Sequence, residues 1–261
     1  MQKLKIFFRY LIYLFRATNT HGVHSPFIFD LVTNVIYSKK HFYSFNKINR
    51  IRKKLNENEK TISVRDFGAG SLYSNSSKKK INQIAKQSSK TEKQGELLFR
   101  LVNKFAPETI LEFGTSFGIS GMYLASACAK SQMVTIEASE EIAQIAQKNF
   151  DEMNFENVTL LQGTFEDKLT EAIQKLMILH FVFFDGNHRK EPTLAYFNAC
   201  LKQTMNESVF VFDDIHWSKE MEEAWMEIKN HPEVTVTVDL FFMGIVFFKK
   251  EQVKEHFIIR Y

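Results

Sequence analysis

Leu111-Glu112-Phe113-Gly114-Thr115-Ser116-Phe117-Gly118-Ile119-Ser120-Gly121 is the stretch on which the reading of the whole chain turns. The apolar run Thr109-Ile110-Leu111 leads into an acid and then into a turn that carries glycine. Behind the turn, Ser120 to Lys130 is rich in Ala, Leu, Met and Ser and is compatible with a helix. The order is strand, tight loop, helix. Gly114 and Gly118 have no Cβ, so a ligand can come close to the backbone of such a loop. The helix behind it directs free N–H groups toward whatever sits there.

The segment beyond that helix sharpens the reading. Gln132-Met133-Val134-Thr135-Ile136 has the pattern of a second strand, and Glu137 ends it. Glu137 comes about twenty residues after the loop, where a nucleoside-binding βαβ unit places an acid for the ribose hydroxyls. The nicotinamide fingerprint G-x-G-x-x-G fails, because the positions after Gly114 in that pattern are Ser116 and Ile119. The pattern E-x-G-x-x-x-G, with a strand and an acid after it, resembles the class I S-adenosylmethionine (SAM) methyltransferases. Leu111 to Ser120 is especially similar to the catechol and caffeoyl-CoA type of O-methyltransferase. The resemblance covers roughly Thr91 to Phe248.

From Thr91 onward the alternation of elements is regular. Glu96 to Phe105 puts Leu98, Leu101, Val102 and Phe105 on one helical face, and Pro107 stops that helix. Strands are expected at Thr109–Glu112, Met133–Glu137, Val158–Leu161, Phe181–Phe184 and Val209–Phe212. The intervening helices run through Ile142, Ile145 and Ala146, through Leu169, Ile173 and Leu176, and through Leu194, Tyr196 and Leu201. Glu140 and Glu141 suit the dipole of a first turn, and Ser218 caps a helix through Met221, Ala224, Trp225 and Ile228. Near-continuous apolar strands are what a parallel sheet covered on both faces requires. Val234–Leu240 and Ile245–Phe248 are joined by a connection too short for a parallel crossover, so that pair is expected to be antiparallel. The expected fold is α/β: a Rossmann-like, mostly parallel seven-stranded sheet with a C-terminal antiparallel hairpin, which is also what the resemblance implies. Residues 91–261 are expected to form the methyltransferase domain. Residues 1–90 are expected to form a mainly helical extension, serving as a lid or as a surface helix.

Five acids, Glu112, Glu137, Asp185, Asp213 and Asp214, end strands and would gather where open α/β sheets bind ligands. The alternative for each is to cap the next helix. The resemblance divides them between two jobs. It implies a cofactor set of Glu112, Gly114, Thr115, Ser116, Gly118, Ser120, Glu137, Ala138, Gly163, Thr164 and Phe165. In that set the loop packs against the amino-acid half of SAM, Glu137 holds the ribose, and Phe165 is placed to stack on the adenine. In the catechol type a divalent metal is held by an acid after the fourth strand and by an Asp-Asn pair after the fifth. Asp185 and Asp213 match, and Asp214 stands where Asn is usual, so the implied metal set is Asp185, Asp213 and Asp214. A hard cation such as Mg²⁺ suits oxygen ligands of this kind and would lower the pKa of a substrate hydroxyl. The family's lysine base, three residues after the strand-4 acid, is replaced by His188. His188 and His216 are the candidate bases, with Asp185 beside them, because imidazole titrates near neutral pH. The alternative for either histidine is a structural hydrogen bond to a neighbouring acid.

The remainder of the chain bounds these readings. Its 261 residues are 44% hydrophobic and 25% charged, as in ordinary soluble globular proteins, and 26 Phe point to an aromatic core or an apolar pocket. A formal charge of +4 does not call for nucleic acid without a clustered basic groove, and the resemblance implies a small-molecule acceptor as partner. Cys128 and Cys200 lack metal spacing and read as buried free thiols in a reducing, cytoplasmic setting. The oligomeric state is open, a homodimer included. Ile6 to Phe15 is apolar, interrupted by Arg9 and flanked by Lys3, Lys5 and Arg16. It is too short to span a bilayer and reads as a docked helix or as a helix of residues 1–17 lying on a membrane surface. Val64-Arg65-Asp66-Phe67-Gly68-Ala69-Gly70-Ser71 also carries an acid and glycines, but no apolar helix comes after it, so it reads as a loop. Two rivals stand beside the methyltransferase reading. One is a nucleotide- or sugar-binding α/β enzyme, and the other is a decayed enzyme acting through its N-terminal helix at a membrane or partner.

Overall fold

The computed structural model describes residues 2–65 and 76–261. In chain order these form α1 (Gln2–Arg16), α2 (Pro26–Leu31), α3 (Tyr43–Glu57), β1 (Thr61–Arg65), β2 (Ser76–Lys80), α4 (Ile81–Ser88), α5 (Glu92–Phe105) and β3 (Thr109–Phe113). Next come α6 (Ile119–Ala127), β4 (Gln132–Glu137), α7 (Glu140–Glu152), β5 (Val158–Gln162), α8 (Phe165–Leu176), β6 (Phe181–Phe184) and α9 (Lys190–Leu201). The chain ends with β7 (Val209–Asp213), α10 (Lys219–Asn230), β8 (Val236–Asp239), β9 (Met243–Phe247) and β10 (Glu255–Ile258). Asp66 to Ser71 of the second acid-and-glycine motif lie outside the described residues. The chain divides into two compact units, Lys39–Met177 and the combination of Met1–Ser38 with Ile178–Tyr261.

In the unit Lys39–Met177, β3, β4 and β5 pair in parallel, with Phe113 opposite Ile136 and Glu137 opposite Gln162. All of β3 is buried, as its apolar sequence demands. The segment before it builds the core as well. Phe45, Ile48, Ile51 and Leu55 of α3 share one apolar cluster with Ile62, Ile81, Ile84, Tyr123 and Phe150. Ring contacts tie α3 to its neighbours: Phe45 lies 4.9 Å from Phe99 and 5.4 Å from Tyr123 between centroids. The Ser63 amide donates to Glu141 Oε1 at 3.1 Å, which links β1 to α7. α5 starts four residues earlier than its apolar periodicity indicates, because Thr91 and Gln94 form a reciprocal capping box. β1 and β2 form an antiparallel pair that the Ser- and Lys-rich sequence did not announce.

In the other unit β6 and β7 are parallel, and β9 is antiparallel to both β7 and β8, as the short connection at Met243-Gly244 requires. A further strand not foreseen from the sequence, β10, pairs in parallel with β8. α1 belongs to this unit. The Tyr13 hydroxyl donates to the carbonyl oxygen of Ile259, and Thr18 exchanges backbone hydrogen bonds with Ile258 and Arg260 at 2.8 and 2.9 Å. Ser25 caps α2 with Pro26 in its first turn, and Ile28 and Leu31 are buried. Cys200 is buried in α9, whereas Cys128 lies just past the end of α6 and is half-buried; both are free thiols. The fold is thus α/β with mostly parallel pairing, as expected. Among the described residues no helix is long and apolar enough to cross a membrane.

Candidate functional site

The glycine loop stands at the carboxyl end of β3, and its shape comes from a few contacts. Gly114, Ser116 and Gly118 all have positive φ, at 90°, 46° and 80°. The amides of Gly114 and Thr115 both donate to the carbonyl of Ile136 at 3.1 Å, which folds the loop over the tip of β4. Asn149 Nδ2 donates to the Phe117 carbonyl at 2.8 Å and fixes the far side. Glu112 is fully buried, with Oε2 accepting from Thr135 Oγ1 at 2.7 Å. Thr135 Oγ1 lies 2.6 Å from Thr115 Oγ1, so one hydroxyl joins the strand-end acid to the loop. A Cβ on Gly121 would lie 2.9 Å from Glu112 Oε2, so glycine there lets α6 close on the acid. Ser120 is buried in the first turn of that helix.

Glu137, at the tip of β4, accepts from the Ser116 amide at 2.8 Å and from the Ser139 amide at 2.9 Å, one on each carboxylate oxygen. Burial raises its pKa above the ordinary carboxylate value, and the amides of Ser139, Ser116 and Ala138 pull it back only in part. Each oxygen keeps a further acceptor site for a hydroxyl donor. The Gly163 amide donates to the Glu137 carbonyl at 2.9 Å, which brings the turn after β5 alongside. Thr164 is the N-cap of α8, accepting from the Asp167 amide at 3.2 Å. Phe165 sits half-buried, edge-on to Phe113 at 5.4 Å. The predicted residues from Glu112 to Phe165 therefore all lie in one unit, around the ends of β3, β4 and β5. Sequence reading missed Thr135 and Asn149, which hold the loop without standing in any motif.

The second group lies in the other unit. Parallel register sets Phe184 opposite Phe212, and their rings stack at 4.3 Å. The next residue on each strand is an acid, so Asp185 and Asp213 come side by side. Asp185, His188 and Asp213 each offer a ligand atom within 4.8 Å of the others, and Asp213 is buried. His188 Nε2 is 3.8 Å from Asp185 Oδ1. Asn187, at φ 51°, makes the turn that brings His188 back, and its side chain bonds Arg189 and Tyr196 at 3.0 and 3.2 Å. Asp214 is not in this group. It adopts φ 54°, and its amide donates to the Phe242 carbonyl at 2.7 Å.

His216 is likewise outside the group. Its Nε2 is 2.8 Å from Asp239 Oδ2 and its Nδ1 is 3.1 Å from Glu222 Oε1. Phe241 stacks on the ring at 5.2 Å, and Arg9 pairs with Glu222 at 2.8 Å. Burial opposes protonation of His216, but the Asp239 hydrogen bond and charge, reinforced by Glu222, outweigh it and raise the pKa. Both ring nitrogens are engaged, which is the structural alternative that the sequence left open.

A loop of this geometry on a parallel α/β sheet defines a class of protein, and comparison with known families agrees. Residues 111–215 match a family model described as a methyltransferase domain. That segment of the chain is thus similar to a methyltransferase domain, and a catechol-type enzyme is among its relatives. The catechol O-methyltransferase of Niastella koreensis is 28% identical over 125 residues, which are 47% of this chain and 56% of that protein. The chain therefore spans little more than half the length of that curated relative. The O-methyltransferase from Bacillus cereus, solved in complex with S-adenosylhomocysteine (SAH), is similar with a TM-score of 0.56 and 20% identity, over 81% of this chain and 93% of that one. TomG from Streptomyces achromogenes, an O-methyltransferase involved in tomaymycin synthesis and solved with SAM, gives a TM-score of 0.56 at 18% identity, over 85% and 95%. At such identities these two structures speak for the fold.

Proposed function

We propose that this chain transfers a methyl group from SAM to a hydroxyl oxygen of a small-molecule acceptor, with a divalent cation assisting. The observation that carries the reading is the tie between loop and acid: the Ser116 amide on Glu137, with Glu112 buried beneath. In this reading Glu137 accepts the ribose hydroxyls on its remaining acceptor sites. Glu112, Gly114, Thr115, Ser116, Gly118 and Ser120 cradle the amino-acid half, Ala138 lines the ribose side, and Gly163, Thr164 and Phe165 flank the adenine. The nucleotide-handling alternative is less well served, because a dinucleotide or nucleoside phosphate leans on a phosphate-binding glycine pattern that this loop lacks.

Asp185 and Asp213 fit a cation by their chemistry, since two carboxylates held this close repel unless a positive charge lies between them. When bound, the cation supplies Lewis acidity that makes an acceptor hydroxyl easier to deprotonate, and SAM supplies the electrophilic methyl group. His188, whose Nε2 lies 3.8 Å from Asp185, would take the hydroxyl proton on a ring nitrogen and so leave the acceptor as an oxyanion. A carboxylate donor set of this kind accommodates Mn²⁺ as well as Mg²⁺. Two free thiols without metal spacing agree with a reducing, cytoplasmic setting.

Titration calorimetry with SAH tests the cofactor, and saturable one-site binding is expected. A folded sample that binds nucleotides and not SAH would overturn the assignment. Methyl transfer to catechol, with and without chelator and with Mg²⁺ or Mn²⁺ restored, tests the cation separately. Turnover that survives chelation removes the metal and leaves the cofactor assignment standing.

A further inference from the structure

α1 has one face that is docked and another that is not. On the docked face Tyr13 is 4% exposed, Tyr10 and Tyr13 pack on Phe241 at 5.0 and 5.3 Å, and Arg9 is paired with Glu222. Arg260 donates to the Leu14 carbonyl at 3.0 Å from the side. The opposite face should be polar if it met only water. Instead Leu4, Phe8, Ile12 and Phe15 recur every three or four residues along it, with Phe7 and Leu11 beside them. Leu4, Phe7, Phe8 and Ile12 are all exposed, and Phe15 is 90% exposed. A contiguous apolar stripe of this kind marks an interaction surface rather than scattered surface hydrophobes.

The charges beside the stripe select its partner. Lys5 and Arg16 are exposed toward the two ends of the helix, and residues 1–29 contain no acid, Asp30 being the first. A second copy of this face would bring cations against cations. An anionic lipid surface meets both features: acyl chains for the stripe and headgroups for the basic flanks. At 15 residues α1 is about 22 Å long, and it is held to the body along its docked face, so it lies along a bilayer rather than across it.

We infer that α1 is a docking surface for an anionic bilayer, with Leu4, Phe7, Phe8, Ile12 and Phe15 inserted and Lys5 and Arg16 at the headgroups. This is independent of the proposed chemistry. The test is vesicle flotation of the full chain, using phosphatidylcholine alone and phosphatidylcholine with roughly one-third phosphatidylglycerol. Partitioning is expected only with the anionic lipid, and it should weaken with salt. The double variant F8S/F15S should lose about tenfold or more in partitioning while its melting temperature and SAH titration stay unchanged, because neither side chain enters the core. K5E/R16E should lose binding to the same extent with the stripe intact, which keeps the test decisive if the first variant folds poorly. Equal partitioning onto neutral and anionic vesicles overturns the proposal, as does absence of binding to either. A dimer in light scattering that F8S/F15S dissolves, with no vesicle binding, would assign the face to a second copy instead.

Discussion

Gly118→Ala isolates the loop geometry on which the cofactor reading stands. Gly118 has φ +80°, where an alanine costs about 1–2 kcal/mol because its Cβ crowds the following carbonyl. A Cβ there would also lie 2.8 Å from Phe150 Cε1 and 2.9 Å from its Cζ. Phe150 is 1% exposed and enclosed in the aromatic core, so the ring cannot swing away. Overpacking of that kind costs about 1–3 kcal/mol. The sum is about 2–5 kcal/mol, which in a chain of this size lowers the melting temperature by about 5–15 °C. Gly121→Ala is the internal control. Its Cβ would meet Glu112 Oε2 at 2.9 Å and Phe150 Cζ at 3.1 Å, but Gly121 lies inside α6 and carries no left-handed strain. Alanine also gains about 1 kcal/mol over glycine in a helix, so the Gly121 variant should melt well above the Gly118 variant. The assay is thermal unfolding by circular dichroism on both variants, and then SAH titration at a temperature where each is folded. If G118A melts within about 1 °C of the unaltered chain, or below G121A by nothing measurable, the loop does not have this conformation and the argument for the cradle fails.

Other perturbations address the remaining links. SAH affinity should fall by about tenfold per pH unit once pH drops below the raised pKa of Glu137, because only the carboxylate accepts ribose hydroxyls. The linked stability term runs the other way: it is fully present below the unfolded-state value and is lost as pH rises through the folded one. Glu137→Gln should remove both trends, and an unchanged pH profile in that variant would dissociate Glu137 from the ligand. Thr135→Val should cost about 1–3 kcal/mol in urea unfolding, since it strips a hydrogen bond from buried Glu112. His188→Gln should lower kcat by about a hundredfold or more with melting unchanged, whereas His216→Gln should lower stability by about 1–3 kcal/mol with kcat nearly intact. The reverse pattern would transfer the base to His216. Asp213→Asn should melt higher than the unaltered chain in chelator, through relief of like-charge repulsion, and should gain nothing from added Mg²⁺ or Mn²⁺; an equal metal-induced rise in both would clear Asp213 of ligation.

The range of each interaction decided whether the sequence disclosed it or hid it. β3, β6 and β7 were legible because each is an apolar run that ends in an acid, and burial on both faces leaves no other reading. Glu137 was legible because βαβ geometry fixes the distance from loop to acid. β2 and β10 were not, since Ser76–Lys80 is all Ser and Lys, Glu255–Ile258 is too short to show an apolar pattern, and each owes its strand form to one neighbour. A boundary near residue 90 matches the motifs, yet the compact units divide after Ser38 and after Met177, and α3 and α4 share a core with α6 and α7. Packing of that kind depends on Phe45 meeting Phe99 and Tyr123, which no local pattern records. The same holds for His216: its partner Asp239 comes 23 residues later, on β8, and the spacing carries no signature.

The strand-end acids looked alike in sequence, and their surroundings separate them. Glu112 is enclosed and takes a hydroxyl from Thr135, which ties it to the loop through Thr115. Glu137 takes two loop amides and remains half-buried, with acceptor sites left for a ligand. Asp185 and Asp213 come side by side because Phe184 and Phe212 are in register, and His188 lies beside them. Asp214, one residue further on, is turned out of that group by its left-handed backbone. Position at the end of a strand thus nominates an acid, and the donors around it assign the work. By that criterion His188, with a carboxylate at 3.8 Å and Asp213 close by, keeps ring nitrogens to offer, which is why it is the base proposed above, whereas both nitrogens of His216 are engaged by acids beside α1.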